Sequence, residues 1–322
     1  MKIALVSCVC THVFKDQPVW GHIAAAQPDV LVLLGDSLYL DINPAVHPEQ
    51  LDDDGFGKLL HKRYTELLKQ KQFVALVHQL GAGCVFSIWD DHDFLWNDAA
   101  GAAYRNVPLQ KDKIRLSTAF HEAFRQALAL ALPPKSFPTV YSDPVFWNPH
   151  QPALRTDSIG LNDQIVLHLC DVRSFRTNTF LVPESERTML GAEQRHRIET
   201  AVLASGPDTI HLLASGSTLA GWKRYAQDVQ WLHGLAKERR MIVLSGDIHR
   251  NDVDAFYTGG FPLHEVTSSG AAVRDAVTIG AEQQNFGLVD INGTDTTVRL
   301  FHFNQREKFL DRDFDNVTWL PK

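Results

Sequence analysis

Asp90, Asp91, His92 and Asp93 follow one another without a spacer, and Asn97 and Asp98 come almost at once. They close an apolar run, Cys84, Val85, Phe86 and Ile88, that reads as a buried strand. Carboxylates crowded where a strand leaves the core lose solvation and repel one another. A bound cation removes both costs, so this run has the chemistry of a metal site. A solvated acidic turn is the plainer account of such a run taken alone. Two further runs of the same kind weigh against it.

In the first of these, Gly35 lets the chain turn sharply after an apolar run and aims Asp36 into the space beyond it. Tyr39, one helical turn on, reaches the same space. In the second, Ser245 and Gly246 precede Asp247 and His249, which point the same way if the segment is extended. A carboxylate and an imidazole on one face are a ready pair of metal ligands. Cys8, Cys10 and His12 also share a face if their strand stays extended, and spacing does not decide which thiol is used.

The elements that must position these residues are short strands. Residues 3–6, 30–34, 85–88, 165–169 and 241–244 are β-branched or Leu-rich, and each stops at Gly, Ser, Cys or an acidic block. Ligand sites in α/β proteins gather beyond the carboxyl ends of such strands. Apolar spacing near 3.6 predicts helices over 18–26, 56–80, 112–132, 192–203 and 225–239. Residues 41–55, with Asp52, Asp53 and Asp54, read as a surface insertion near enough to Asp36 to rim a site. The proline-rich stretch 133–152 reads as an irregular arm or edge hairpin. Runs at 263–268, 286–291 and 296–303 read as further strands, the last two a hairpin across Asn292 and Gly293.

With 44% hydrophobic and 21% charged residues, the 322-residue chain has the composition of a soluble globular protein with a sizeable core. No linker, repeat or low-complexity tract divides it, so one domain over 1–322 is expected. A net charge of -7 and the lack of a dense Lys/Arg block argue against nucleic-acid binding by phosphate neutralisation. No apolar stretch approaches a membrane span. The start resembles a lipoprotein cleavage site at Cys8, but its apolar part is too short for a signal peptide, so a cytoplasmic location is expected. Four cysteines make no disulfide framework, and Cys84 and Cys170 read as inert core thiols. A Rossmann-type nucleotide site is excluded, because no Gly-x-Gly-x-x-Gly follows any of the strands.

Taken together, Ser7 and Cys8; Gly35–Asp41; Trp89–Asp93 with Asn97 and Asp98; Asp171–Arg176; Met189–Gly191 with Gln194; Ser245–His249; His264–Gly270; and Asn285–Leu288 resemble the PhoD-like (alkaline phosphatase D) branch of the calcineurin-like metallophosphoesterases. The resemblance runs through nearly the whole chain in the same order. It implies an α/β fold, a four-layer αββα sandwich of two mixed β-sheets face to face with flanking helices, and a two-metal centre at one end. It implies Cys8, Asp36, Tyr39 and His249 on the first metal, with Asp36 bridging. The second metal would take Asp36, Asp247 and one or both of Asp91 and Asn97. The wider superfamily has Asp and His in its first motif and Gly-His-x-His in its last; here Cys8 and Asp247 stand in those places.

Those departures bear on the metals. Thiolate and phenolate ligands must be deprotonated, which a trivalent ion such as Fe3+ favours. Asp247 makes the second site all-oxygen, which suits Ca2+, Mn2+ or Mg2+ better than Zn2+. Better-known members of the branch use iron with calcium. The activity implied is hydrolysis of a small phosphate ester, two metals clamping the phosphoryl oxygens and supplying hydroxide for in-line attack. His92, between Asp91 and Asp93, is read either as the proton donor to the leaving oxygen or as a residue that only hydrogen-bonds a metal ligand. Arg173 either grips a phosphate oxygen or forms a buried pair with Asp171. Trp222 and Tyr225 read as packing or rim residues. The rival readings are a phosphodiesterase or phospholipase D-like hydrolase, and a degenerate module that binds metal or phosphate without turnover.

Overall fold

Uninterrupted Val, Ile and Leu runs become strands buried on both faces. A computed structural model describes residues 1–149, 157–273 and 284–322. In chain order the strands are β1 (Lys2–Val6), β2 (Val30–Leu34), β3 (Val85–Ile88), β4 (Ser158–Asn162), β5 (Ile165–Leu169), β6 (Ile210–Ala214) and β7 (Arg240–Ser245). They continue with β8 (Asp252–Phe256), β9 (Leu263–Thr267), β10 (Phe286–Ile291), β11 (Asp295–His302), β12 (Gln305–Arg306) and β13 (Arg312–Asp315). A seven-stranded sheet has the order β12-β11-β10-β1-β2-β3, with β13 paired to β11; a six-stranded sheet has the order β4-β5-β6-β7-β9-β8. In the first, β1, β2 and β3 are parallel; in the second, β5, β6, β7 and β9 are parallel.

The sheets pack face to face through Leu5, Val32, Ile88, Leu167, Leu212, Leu244 and their neighbours. Each fully buried aliphatic side chain contributes about 1.5–3 kcal/mol. The outer face of the first sheet is covered by the helices Val19–Ala25, Asp53–Leu68, Lys71–Leu80 and Pro108–Ala129, through residues such as Trp20, Phe56, Phe73 and Phe120. The helices Ala192–Ala204 and Ala226–Glu238 cover the second, through Ile198, Val202 and Leu232. The architecture is therefore the expected sandwich of two mixed sheets between helical layers. No helix among the described residues is long and apolar enough to cross a membrane.

Several local expectations are corrected. The helix expected over 56–80 is two, because the Gln70 side chain accepts a hydrogen bond from Phe73 N at 2.7 Å and caps a new start. Asp52–Asp54 are no insertion. Asp52 caps the helix Asp53–Leu68 through Gly55 N at 2.8 Å, and the next two carboxylates sit in its first turn, facing the positive end of its dipole. Residues 133–149 form no hairpin; a helical turn, Pro144–Trp147, lays Phe146 flat on Phe120 at 3.7 Å. The remainder of that arm, 150–152, lies outside the described residues. Cys170 is buried as expected, whereas Cys84 is partly exposed.

On the outer face of the second sheet, β5 and β6 place two imidazoles side by side. His168 Nε2 lies 3.0 Å from His211 Nδ1, and the chain of contacts ends on Ser158 and Ser205 at 2.8 and 3.0 Å. Burial pushes His168 down to about 3, with His211 adding to it, and pushes His211 down to about 4, with Arg239 adding to it. Unfolded, both take protons near pH 6.5. Below that value the unfolded chain holds more protons than the native one, so stability falls as pH falls, from about 6.5 toward the folded values. A His168→Gln, His211→Gln double variant should lose this slope. Urea unfolding at pH 7 and pH 5 should show the wild type losing about 1 kcal/mol per pH unit per imidazole relative to the variant; parallel losses would mean that the folded pair takes up protons as readily as the unfolded chain.

Candidate metal centre

The parallel strands of both sheets end at one place. Gly35, with φ +87°, lets the chain leave β2 so close to β3 that a Cβ there would lie 2.7 Å from Asp90 N. Gly216, just past β6, lies against the same residue from the other sheet: a Cβ would come within 2.6 Å of Asp90 Cβ and Cγ. Across this junction Val9 N donates to Asp36 O, and Gly246 N donates to Gly216 O. Cys8, Asp36, Asp247 and His249 all have left-handed backbones, with φ of 60°, 51°, 73° and 53°. That is uncommon for residues with a side chain and is concentrated at functional sites.

These turns correct the alternation argument. Asp247 and His249 do not share a face of an extended segment; they fall into different donor groups. Cys8, Asp36 and His249 bring ligand atoms within 4.8 Å of one another, and Asp36, Asp90, Asp91 and Asp247 do the same. Asp36 belongs to both, and with Asp91 and His92 it makes a third such group. Tyr39 joins the first: its hydroxyl donates to Asp36 Oδ2 at 3.3 Å and lies 3.1 Å from His249 Nε2. Cys8 Sγ is 3.5 Å from Asp36 Oδ2 and 3.2 Å from Ser269 Oγ. Of the two thiols Cys8 lies in this group, whereas Cys10 turns to His12 Nδ1 at 3.7 Å.

Positive charge is scarce among these groups. Burial pushes the Asp36 carboxyl well above the usual carboxylate range, and Cys8, Asp91 and Asp90 push it further against His92. Burial likewise raises the Cys8 thiol, and, with Asp36 and Cys8 beside it, the Tyr39 phenol. Asp247 is pushed up to about 7 by burial and by Asp90 and Asp91. Asp91 differs: burial alone would raise it, but Arg173, His92 and the Asp98 N–H hold it at about 2. Asp36 Oδ1 and Asp90 Oδ2 are buried without a hydrogen-bond partner among the described residues. Buried carboxylate oxygens that lack donors are what a bound cation satisfies. The residues present fit metal ions.

His92 Nδ1 meets Asp41 Oδ1 at 2.6 Å, not Asp93. Asp93 faces inward and accepts from Asp90 N at 2.6 Å and Ser37 N at 3.1 Å, holding the turn. Against burial, Asp91, Asp41 and Asp36 lift His92 to about 10. The Asn97 side chain is exposed, and its N–H donates to Asp41 Oδ2 at 2.7 Å. The Arg173 guanidinium does not pair with Asp171, which is occupied by the N–H groups of Arg173 and Ser174 and by Trp89 Nε1. It is buried on Asp90, with Asp91 at 3.5 Å. Trp222 and Tyr225 are buried packing residues, the latter accepting from Arg176 Nε at 2.8 Å. Asp90, Asp41 and Ser269 lie in runs that the sequence marks, without an individual role there, and Ser217 lies in none of them.

Among solved structures, the chain superposes over 100% of its length on PhoD, covering 71% of that chain with a TM-score of 0.68 and 13% identity. It shares the PhoD fold. Weaker superpositions are a predicted phosphoesterase from Streptococcus pneumoniae TIGR4 (TM-score 0.35, 9% identity, 98% of this chain and 97% of that one) and a Vps29 single mutant from Entamoeba histolytica (0.34, 9%, 98% and 99%). No protein-family model and no curated protein matches the sequence.

The Arg173–Asp90 pair is testable apart from any activity. Breaking a buried pair by removing one partner leaves the other uncompensated, so Arg173→Gln should cost about 3 kcal/mol of stability at pH 8 in chelator. Burial then acts unopposed on Asp90, which takes up a proton in the folded state as pH falls, so the loss should shrink at pH 5. An equal loss at both pH values would assign the guanidinium's contribution to Ala99 O and Ser217 instead.

Proposed function

We propose that the chain is a metal-dependent phosphoric ester hydrolase, residues 1–322 forming a single PhoD-like metallophosphoesterase domain. One observation carries this reading: Asp36 is shared by two donor groups of different chemistry at the joint ends of both sheets. Cys8, Tyr39, His249 and Asp36 offer thiolate, phenolate, imidazole and carboxylate, a set suited to Fe3+. Asp36, Asp90, Asp91 and Asp247 offer carboxylate oxygen alone, a set suited to Ca2+. Asp90 replaces Asn97 in this second set, because the Asn97 side chain is exposed. Bound there, two cations supply Lewis acidity toward phosphoryl oxygens and water.

The chain's own residues account for the rest. Asp41 holds His92 Nδ1 and so leaves Nε2 as the atom that delivers a proton to the departing oxygen. Asp91 beside it keeps the ring protonated. Arg173, committed to Asp90 and Asp91, is a positioning residue for those carboxylates and not a phosphate grip.

Metal content tests the centre. Untreated protein should contain two metal ions per chain, and Asp247→Asn should lose the divalent one and turnover together while thermal unfolding stays cooperative. Tyr39→Phe should bleach or shift a visible charge-transfer band and keep the divalent metal. Wild-type rates in Asp247→Asn at saturating calcium or manganese would remove that residue from the centre. A colourless, active protein with divalent metals only would sink the iron assignment and spare the hydrolase.

His92→Ala separates proton donation from organisation of the site. A donor matters most when the departing oxygen is strongly basic. The variant should therefore lose about 10²–10⁴-fold on alkyl phosphates and far less on nitrophenyl phosphate. Equal losses on both, with metal content reduced, would make His92 an organiser of the centre.

A further inference from the structure

On the His249 side of the centre a cavity of about 590 Å³ opens between residues 248–251, Asn285 and the segment 302–310. Its size suits a small organic group. Its walls are tied together by Asn251, 8% exposed, whose Nδ2 donates to Phe301 O at 2.9 Å and to Glu307 Oε2 at 2.6 Å. Asn251 Oδ1 is buried without a hydrogen-bond partner among the described residues.

The lining has a definite chemistry. Glu307 puts a carboxylate on the wall, and Arg250, whose side chain is 70% exposed, lies 3.7 Å from Asp252. A second anionic group on a substrate would meet Glu307 there, so an uncharged group is favoured. Phe309 offers a ring that is 75% exposed, and the partly buried His302 packs on Phe303 at 4.5 Å. Flat side chains around a cavity that reaches a donor residue suit a flat substituent on the phosphate.

We infer that this cavity receives the ester substituent of the substrate, an uncharged alcohol bearing an aromatic ring. This rests on the hydrolase reading above. The phosphate lies at the donor groups, and the ring extends past His249 between His302 and Phe309.

Phenethyl and ethyl phosphate test it, because their alcohols depart with similar basicity and only one carries a ring. With its metals bound, the enzyme should show a kcat/KM roughly ten- to a hundredfold higher for the phenethyl ester, the range expected for burying a ring. Phe309→Ala and His302→Ala should each lower that ratio, and together bring it near one. Glu307→Gln should improve turnover of 4-carboxyphenethyl phosphate relative to phenethyl phosphate. Phe309 is largely exposed, so its truncation leaves the core intact. A ratio near one in the unaltered enzyme, or an undiminished ratio in the double variant, overturns the subsite. Calorimetric binding of benzylphosphonate against methylphosphonate separates the two readings. Ring-dependent binding without hydrolysis of either ester would keep the subsite and sink the hydrolase. Equal hydrolysis with equal binding would do the reverse.

Discussion

Four carboxylates, Asp36, Asp90, Asp91 and Asp247, meet where two sheets end, and the Arg173 and Arg176 guanidinium groups and the His92 imidazole are set against them. Buried anions that close cost several kcal/mol each unless they are paired or neutralised. The chain deals with part of this itself: Arg173 takes Asp90, and Arg173 with His92 keeps Asp91 ionised. Asp36 and Asp247 are left raised, as are Cys8 and Tyr39, and Asp90 stays raised by its burial in spite of Arg173. Every one of these groups is a better ligand in its charged form. The arrangement is costly for a bare protein and favourable for one that holds cations, and the rest of the site follows from it.

The backbone carries a second share of the cost. Cys8, Asp36, Asp247 and His249 each adopt left-handed conformations that cost about 1 kcal/mol or more apiece. Asp tolerates that region better than most residues, and Cys and His do so less well. Such turns persist because the neighbourhood leaves no alternative. Gly35 and Gly216 bring two chain segments onto Asp90, and Ser269 Oγ fixes Cys8 Sγ and the His249 N–H together. Rigid strands on one side and glycine-permitted contacts on the other hold donors that the local backbone disfavours.

Most of the fold was legible because its signal is one-dimensional. The apolar runs at 30–34 and 241–244 read as buried strands because they are short, rich in Val, Ile and Leu, and end at Gly or Ser. β6 escaped because His211 interrupts its run and because it ends in Ser215, Gly216 and Ser217, none of them a strong metal ligand. Its contribution is steric and polar: Gly216 makes room for Asp90, and Ser217 Oγ accepts from Arg176 Nη1 at 3.2 Å. The split of the 56–80 helix turned on one glutamine cap, which apolar periodicity does not see. In the centre, residue types were legible and directions were not. The pairing of Asp247 with His249 assumed an extended chain, and φ values of 73° and 53° send the two side chains to different groups. In sequence His92 reads as raised by its flanking Asp91 and Asp93; Asp93 turns inward, and Asp91 does raise it against burial, but the ring's hydrogen bond goes to Asp41, fifty-one residues away in sequence.

That last pairing shows how the parts depend on one another. Asp41 accepts from the Asn97 N–H with one oxygen and holds His92 with the other, so it ties the turn after β2 to the turn after β3. Both donor groups also draw on both sheets. Asp36 and Cys8 come from the first and His249 from the second; Asp90 and Asp91 come from the first and Asp247 from the second. A charge held between them bears on the sheet-to-sheet contact itself, through the same interface that Leu5, Val32, Leu212 and Leu244 form by apolar burial. Core packing brings the anions together, and the proposed cations, by neutralising them, let the core close without electrostatic opposition. With those cations bound, folding and metal binding would be linked equilibria at the junction of the two sheets, each strengthened by the other.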